Sequence, residues 1–291
     1  MTKLVASLVT AVLCISGAFA AVTAFTQADN RTGPCTIAQR PTDLSGIPEA
    51  SGLTLSRRSP GLLWTHNDSG TPTLFAVGTS GVQSRVAVPS AMVEDWEDVS
   101  AASCPSGDCL YIADIGDNSL ARRQLQLVRV PEPLPGDTET AEPEGFSMRY
   151  ADGRHNAEAA FVIDNEFFVV TRDRRGGLYR ADLAPTTGTP VMLERVGELN
   201  LEAVSDAERS TDGAWIVVRT SHEVAFYRTA ALVRGDLTPR LSIPIDGLQE
   251  PQGEGVALDA RGASGVLYLA SEGSRWNRAG RLLTLRCTLP A

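Results

Sequence analysis

The chain has 291 residues, 43% hydrophobic and 21% charged, with 26 glycines, 17 prolines and a formal net charge of −9. This apolar content can fill a full-sized core, which excludes disorder and collagen-like or coiled-coil fibres. An acidic surface repels phosphate backbones, so nucleic acid is not an expected partner. Lys3 is the one lysine among 26 basic residues, so a Schiff-base or phosphate-loop lysine is excluded from the rest of the chain.

Residues 4–19 form an apolar run behind that single positive charge and end in Ala18-Phe19-Ala20, a small-x-small cleavage pattern. Residues 1–20 therefore read as a secretory signal peptide, with an uncleaved anchor as the alternative. The expectation is a secreted, periplasmic or cell-envelope protein, monomeric and without stable membrane insertion after cleavage. A flexible segment over 21–33 precedes one domain over 34–291. Beyond Cys14 in the signal segment, Cys35, Cys104, Cys109 and Cys287 make an even number, which in an oxidising compartment predicts two disulfides. Cys104-Pro-Ser-Gly-Asp-Cys109 encloses a turn and invites a local bridge. Cys35 and Cys287 can join only if the two ends of the domain meet.

A short pattern recurs five times, opening at Glu49, Glu97, Glu158, Glu202 and Glu254, with separations of 48, 61, 44 and 52 residues. Each glutamate starts an apolar segment, followed by a more hydrophobic run (62–70, 110–118, 167–173, 215–222, 266–273) and then a third strand. Fourth strands follow in four copies, at 83–88, 145–150, 191–196 and 241–245. Short β-branched and aromatic runs between Gly, Asp and Pro turns predict an all-β chain of repeated four-stranded sheets, which is a β-propeller. Five blades are expected, with six as the alternative because the second repeat is long, and a β-sandwich as the rival architecture. The fifth repeat lacks a fourth strand, and residues 34–39 are expected to supply it, which would bring Cys35 beside Cys287. Residues 131–144 read as an exposed loop.

In a propeller, the inner-strand starts and the loops after the second strands share one mouth. Glu49, Glu97, Glu158, Glu202 and Glu254 would meet Asp68, Asp114, Asp117, Asp173 and Glu272 there, with His66, His155 and His222 on the same face. Two like charges 4 Å apart cost about 4 kcal/mol at an effective dielectric near 20, so ten carboxylates call for a cation. Hard oxygen donors from several blades suit Ca²⁺. The expected ligands are Glu97, Asp98, Glu158, Glu202, Glu254 and Glu272. His66, Asp68 and Asp114 are the candidate catalytic residues. The alternative role for the repeated glutamates is to tie neighbouring blades together. No nucleophile elbow, H-E-x-x-H helix, phosphate loop or dinucleotide fingerprint occurs.

The motifs Leu63-Trp-Thr-His-Asn-Asp-Ser-Gly70, Asp95-Trp-Glu-Asp98, Ala113-Asp-Ile-Gly-Asp-Asn118, Asn156-Ala-Glu-Ala159 and Gln252-Gly-Glu-Gly-Val-Ala257 resemble a family of secreted bacterial β-propellers. The last motif, with Leu267-Tyr-Leu-Ala-Ser-Glu-Gly273, is similar to the blade pattern of β-propeller phytases and the esterase-like proteins related to them. That resemblance implies calcium at the channel mouth and phosphomonoester hydrolysis, with Glu254 and Glu272 on matching acidic positions. The expected function is a calcium-dependent hydrolase of a phosphoester, lactone or other ester. The alternative is a non-catalytic propeller that binds a small molecule or a cell-envelope ligand.

Overall fold

The computed structural model describes residues 31–183 and 189–291, and everything below concerns these residues. The predicted signal segment and residues 21–30 lie outside them. No helix among the described residues is long and apolar enough to cross a membrane.

The strands run in antiparallel meanders. After β1 (Arg31–Thr32), β2 (Cys35–Ile37) and β3 (Thr42–Leu44), the first meander is β4 (Ala50–Leu55), β5 (Leu63–Asn67), β6 (Thr73–Gly78) and β7 (Gly81–Ala87). The second is β8 (Trp96–Cys104), β9 (Gly107–Asp114), β10 (Leu125–Pro131) and β11 (Glu144–Tyr150). The third is β12 (Ala157–Ile163), β13 (Glu166–Thr171), β14 (Gly177–Asp182) and β15 (Val191–Glu198). The fourth is β16 (Val204–Arg209), β17 (Trp215–Thr220), β18 (Glu223–Arg228) and β19 (Leu241–Pro244), with the short helix α1 (Thr229–Val233) before β19. The last is β20 (Gly253–Arg261), β21 (Ser264–Ser271) and β22 (Gly280–Thr288).

Residues from the start of the chain complete this last sheet. β2 pairs with β22 with Cys35 opposite Cys287, and β3 pairs with the other half of β22. Both expected disulfides are present, Cys35–Cys287 and Cys104–Cys109. The second and third meanders join into one eight-stranded sheet, because the outer strands β11 and β15 pair in parallel.

The first strands touch in the cyclic order β4, β8, β12, β16, β20 and back to β4. Apolar residues alternate to both faces of each sheet, and each face packs against the next sheet. Trp64 and Leu74 meet Val99 and Ile112 between the first and second meanders, and Phe161 and Phe168 meet Ile216 and Tyr227 between the third and fourth. The last sheet packs on the first through Ala257 and Leu282 against Leu53 and Phe75. The core is thus a series of inter-sheet layers that closes on itself. Backbone approach is tight at the centre: Gly52 has φ +61°, and a Cβ there would stand 2.7 Å from Val99 N on β8.

One expectation is corrected. The long connection in the second meander is not simply an exposed loop. Glu132 is 1% exposed, and its carboxylate accepts hydrogen bonds from Trp64 Nε1 at 3.0 Å, Arg57 N at 3.1 Å and the Ser56 hydroxyl. Thr138 and Thr140 then bond the backbone of Ala87 at 2.9 Å each, so this arm lies across the outer strand of the first meander.

Candidate functional site

The first strands share a local irregularity. In β8, β12, β16 and β20 one residue is left out of the pairing register: Glu97, Glu158, Ser205 and Glu254. β4 breaks register between Ser51 and Thr54, where the Thr65 hydroxyl bonds the carbonyls of Ser51 at 3.2 Å and Gly52 at 2.8 Å. Bulges of this kind re-aim a side chain out of the pleat, and they concentrate at rims and binding sites. Here they turn three glutamates into one cavity.

That cavity has a volume of about 220 Å³ and is lined by Ser51, Asp68, Asp95, Glu97, Asn118, Glu158, Arg172, Gln252, Glu254 and Glu272. A second cavity of about 360 Å³ shares Arg172, Gln252 and Glu254 with it and adds Ser205 and Arg219. Six carboxylates therefore surround the first space with one arginine, which ion-pairs with Glu158. Arg219 brings no free charge to the second, because it pairs with Glu250 at 2.5 Å and donates to the carbonyls of Gly255 and Ala270. Gln252 Nε2 bridges Glu254 at 2.7 Å and Glu272 at 2.9 Å. Gly116 explains part of the Ala113–Asn118 motif: a Cβ there would collide with the carboxylates of both Asp95 and Glu97.

Crowding and burial hold Asp68, Asp95, Glu97, Glu254 and Glu272 above their usual range. Glu97 is pushed up to about 9, first by burial and then by Asp95, Glu254 and Asp68. Glu272 rises to about 7 through burial and the charges of Glu254, Asp68 and Glu49. Asp68 rises to about 6 through burial and Glu49, and its buried Oδ1 has no hydrogen-bond partner. Burial also raises Asp95 and Glu254. Even so, no three His, Cys, Asp or Glu among the described residues are gathered tightly enough to make a ready metal cage.

The ten acids expected at the mouth do not all reach it. Of the expected metal ligands, Glu97, Glu158, Glu254 and Glu272 line the cavity. Glu202 is exposed and absent from the lining, because the bulge of β16 falls on Ser205, three residues further on. Asp98, next to a bulge, points the other way and is 1% exposed; it accepts from Val99 N at 2.6 Å and Ala160 N at 2.5 Å, tying β8 to β12. Of the expected catalytic residues, Asp68 lines the cavity. His66 is fully buried, donates from Nδ1 to the Asn67 carbonyl at 3.0 Å, and meets the Trp96 ring edge-on with centroids 5.6 Å apart. Burial pushes it down to about 4, so it is a neutral core residue. Asp114 accepts from Glu94 N and Asp95 N and pairs with Arg122 at 2.7 Å, which makes it a clamp on the segment that carries Asp95. Asp117 and Asp173 are similarly spent on local backbone amides. His155 and His222 pair with Asp152 and Asp246 outside the cavity.

Three fully buried acids lie further along the first strands. Asp206 caps Val256 N and faces Asp98, and burial holds both carboxyls above the ordinary range, as expected for a pair sharing a proton. Glu208 accepts from Thr54 Oγ1 and Ser100 Oγ at 2.7 Å each. The sequence signal for Asp206 and Glu208 was the run Val-Ser-Asp-Ala-Glu, whose acids fall two residues apart on an otherwise apolar strand.

The closed ring of meanders defines a β-propeller-type fold. No protein-family model and no curated protein sequence matches the chain. Among solved structures, the major allergen Mala s 1 of Malassezia sympodialis aligns with a TM-score of 0.56 at 10% identity, over 85% of this chain and 96% of that one. The β-propeller domain of Myceliophteria thermophila Cps50 (Swd1) aligns with a TM-score of 0.43 at 13% identity, over 86% and 99%. At such identities the likeness to Mala s 1 speaks for the fold alone.

Proposed function

We propose that the chain is a five-bladed β-propeller whose acidic mouth holds Ca²⁺ and hydrolyses a small ester, of the phosphoester, lactone or carboxylic-ester class. The observation that carries this reading is the convergence of Glu97, Glu158 and Glu254 from three meanders on one cavity with Arg172 as its one cation. Five first strands in cyclic contact support five blades over six, since the extra length of the second repeat is the arm that carries Glu132. Two disulfides fit a secreted or cell-envelope setting.

In chemistry, though not in a ready spacing, the donor set suits calcium. Every acidic donor is a hard carboxylate oxygen, and neither Cys nor His lines the cavity. When bound, Ca²⁺ would supply a Lewis acid for a carbonyl or phosphoryl oxygen. Asp68, raised to about 6, is suited to take a proton from water near neutral pH. Arg172 would orient an anionic substrate, and Gln252 holds Glu254 and Glu272 in place.

A second reading, binding without turnover, draws support from the burial of His66 and the engagement of Asp114 with Arg122, which leave Asp68 as the one candidate base. Elemental analysis and thermal melts with Ca²⁺ or a chelator test the metal, and an ester panel tests turnover. Calcium at about 100 times its Kd should add about 2.7 kcal/mol and raise the Tm by about 5–10 °C. Glu254→Gln should weaken that response at least about tenfold, whereas Asp68→Asn should keep the response and lose hydrolysis. A purified protein without metal whose melt ignores calcium would overturn the reading, and calcium binding without turnover of any ester would favour the second.

A further inference from the structure

The opposite end of the ring carries another cavity, of about 550 Å³, at the far ends of the first strands, where Leu55, Ala102, Arg209 and Asp259 contribute to its wall. Ser51, Glu97, Ser205 and Glu254 precede these walls by four or five positions on the same strands. At about 3.3 Å per residue the two ends are separated by about 13–17 Å of strand.

Among the lining charges, Arg57, Asp108, Asp212, Asp259 and Arg261 have polar partners, whereas Asp164 and Arg209 have none among the described residues. Arg57 pairs with Asp108 at 2.6 Å; Asp212 accepts from Ser210 Oγ and Ala214 N; Asp259 accepts from Thr211 Oγ1 at 2.8 Å and faces Arg261 at 3.4 Å. The Arg209 guanidinium has no hydrogen bond or ion pair with any described residue, and its Nε is cut off from solvent. It passes close over the turn at Gly213, which has φ +69°, where a Cβ would stand 2.7 Å from Nη2 and 3.2 Å from Cζ and Nε.

An unpaired guanidinium in a cavity wall is a receptor for a planar or tetrahedral oxyanion. The neighbouring acids choose between these, because Asp108, Asp164, Asp212 and Asp259 repel a dianion more than a monoanion and can accept hydrogen bonds from hydroxyl groups. We propose that this cavity binds a small hydroxylated carboxylate of the sugar-acid class, its carboxylate on Arg209 and its hydroxyls toward Asp164 and Asp259. The site is independent of the acidic mouth.

Titration calorimetry of the full chain with D-glucuronate, D-glucose and inorganic phosphate tests this. Glucuronate should bind in preference to the other two. Arg209→Gln should weaken it at least about tenfold, as loss of a charge-assisted pair requires, while Glu254→Gln should leave it unchanged. In the unmutated protein, glucuronate but not glucose should slow phenylglyoxal modification of Arg209, followed by mass spectrometry, several-fold. Equal affinity for glucose or phosphate, unaltered glucuronate binding by Arg209→Gln, or modification of Arg209 at the same rate with and without glucuronate would overturn the proposal.

Discussion

Glu208 is 4% exposed, with two hydroxyls for company and no cation. Burial pushes it up to about 8 against the lowering effect of Ser100 and Thr54. In the unfolded chain the same carboxyl ionises near its ordinary 4.5. Between these two values the folded protein retains a proton that the unfolded chain has released, so raising the pH favours unfolding across that window and the effect levels off above about 8. Glu208→Gln removes the titration. Denaturant melts from pH 5 to pH 9 should show the stability of the unmutated protein falling more steeply than that of the variant, and parallel curves would refute the assignment. Reading such residues from sequence is hard, because a carboxylate's burial is decided by strands distant in the chain. Glu208 bonds Thr54 and Ser100, and nothing near Glu208 announces either. His66 shows the converse: its Asn-Asp-Ser-Gly surroundings look like a site, yet its strand carries the ring into the core.

Among the elements, the strands were legible and their irregularities were not. Runs such as Trp215-Ile-Val-Val and Phe167-Phe-Val-Val are β-branched and aromatic enough to read as buried strands unaided. A bulge, by contrast, is a property of two strands, and its position depends on the partner's register. Glutamate spacing therefore found Glu97, Glu158 and Glu254 but misplaced the fourth position on Glu202 in place of Ser205. The arm between β10 and β11 was also underestimated, since its proline and acid content resembles a solvated loop. Glu132 on that arm satisfies Trp64, Ser56 and Arg57 at once. Glu132→Ala should cost about 2–4 kcal/mol, since stranding a buried donor costs about 1–3 kcal/mol. Urea unfolding monitored by tryptophan fluorescence measures this, and a loss below 1 kcal/mol would mean the arm is not docked in solution.

For the whole molecule, closure rests on β2 and β3 meeting β22, with a disulfide joining residues 252 apart. Replacing Cys35 and Cys287 by serine should cost about 2–5 kcal/mol, and replacing Cys104 and Cys109 about half as much, because the shorter loop releases less chain entropy when opened. Calorimetric melts of the two double variants give the comparison; equal losses would indicate that the terminal bridge does not hold the ring shut.

The same closure has a consequence for biogenesis. The wall of the acidic mouth needs Ser51 from the first sheet beside Gln252, Glu254 and Glu272 from the last, which are made some two hundred residues later. A chain emerging from the ribosome therefore passes through most of its synthesis with the carboxylates dispersed and unable to cooperate. Whatever chemistry the mouth supports is switched on once, when the final hairpin zips against the earliest strands.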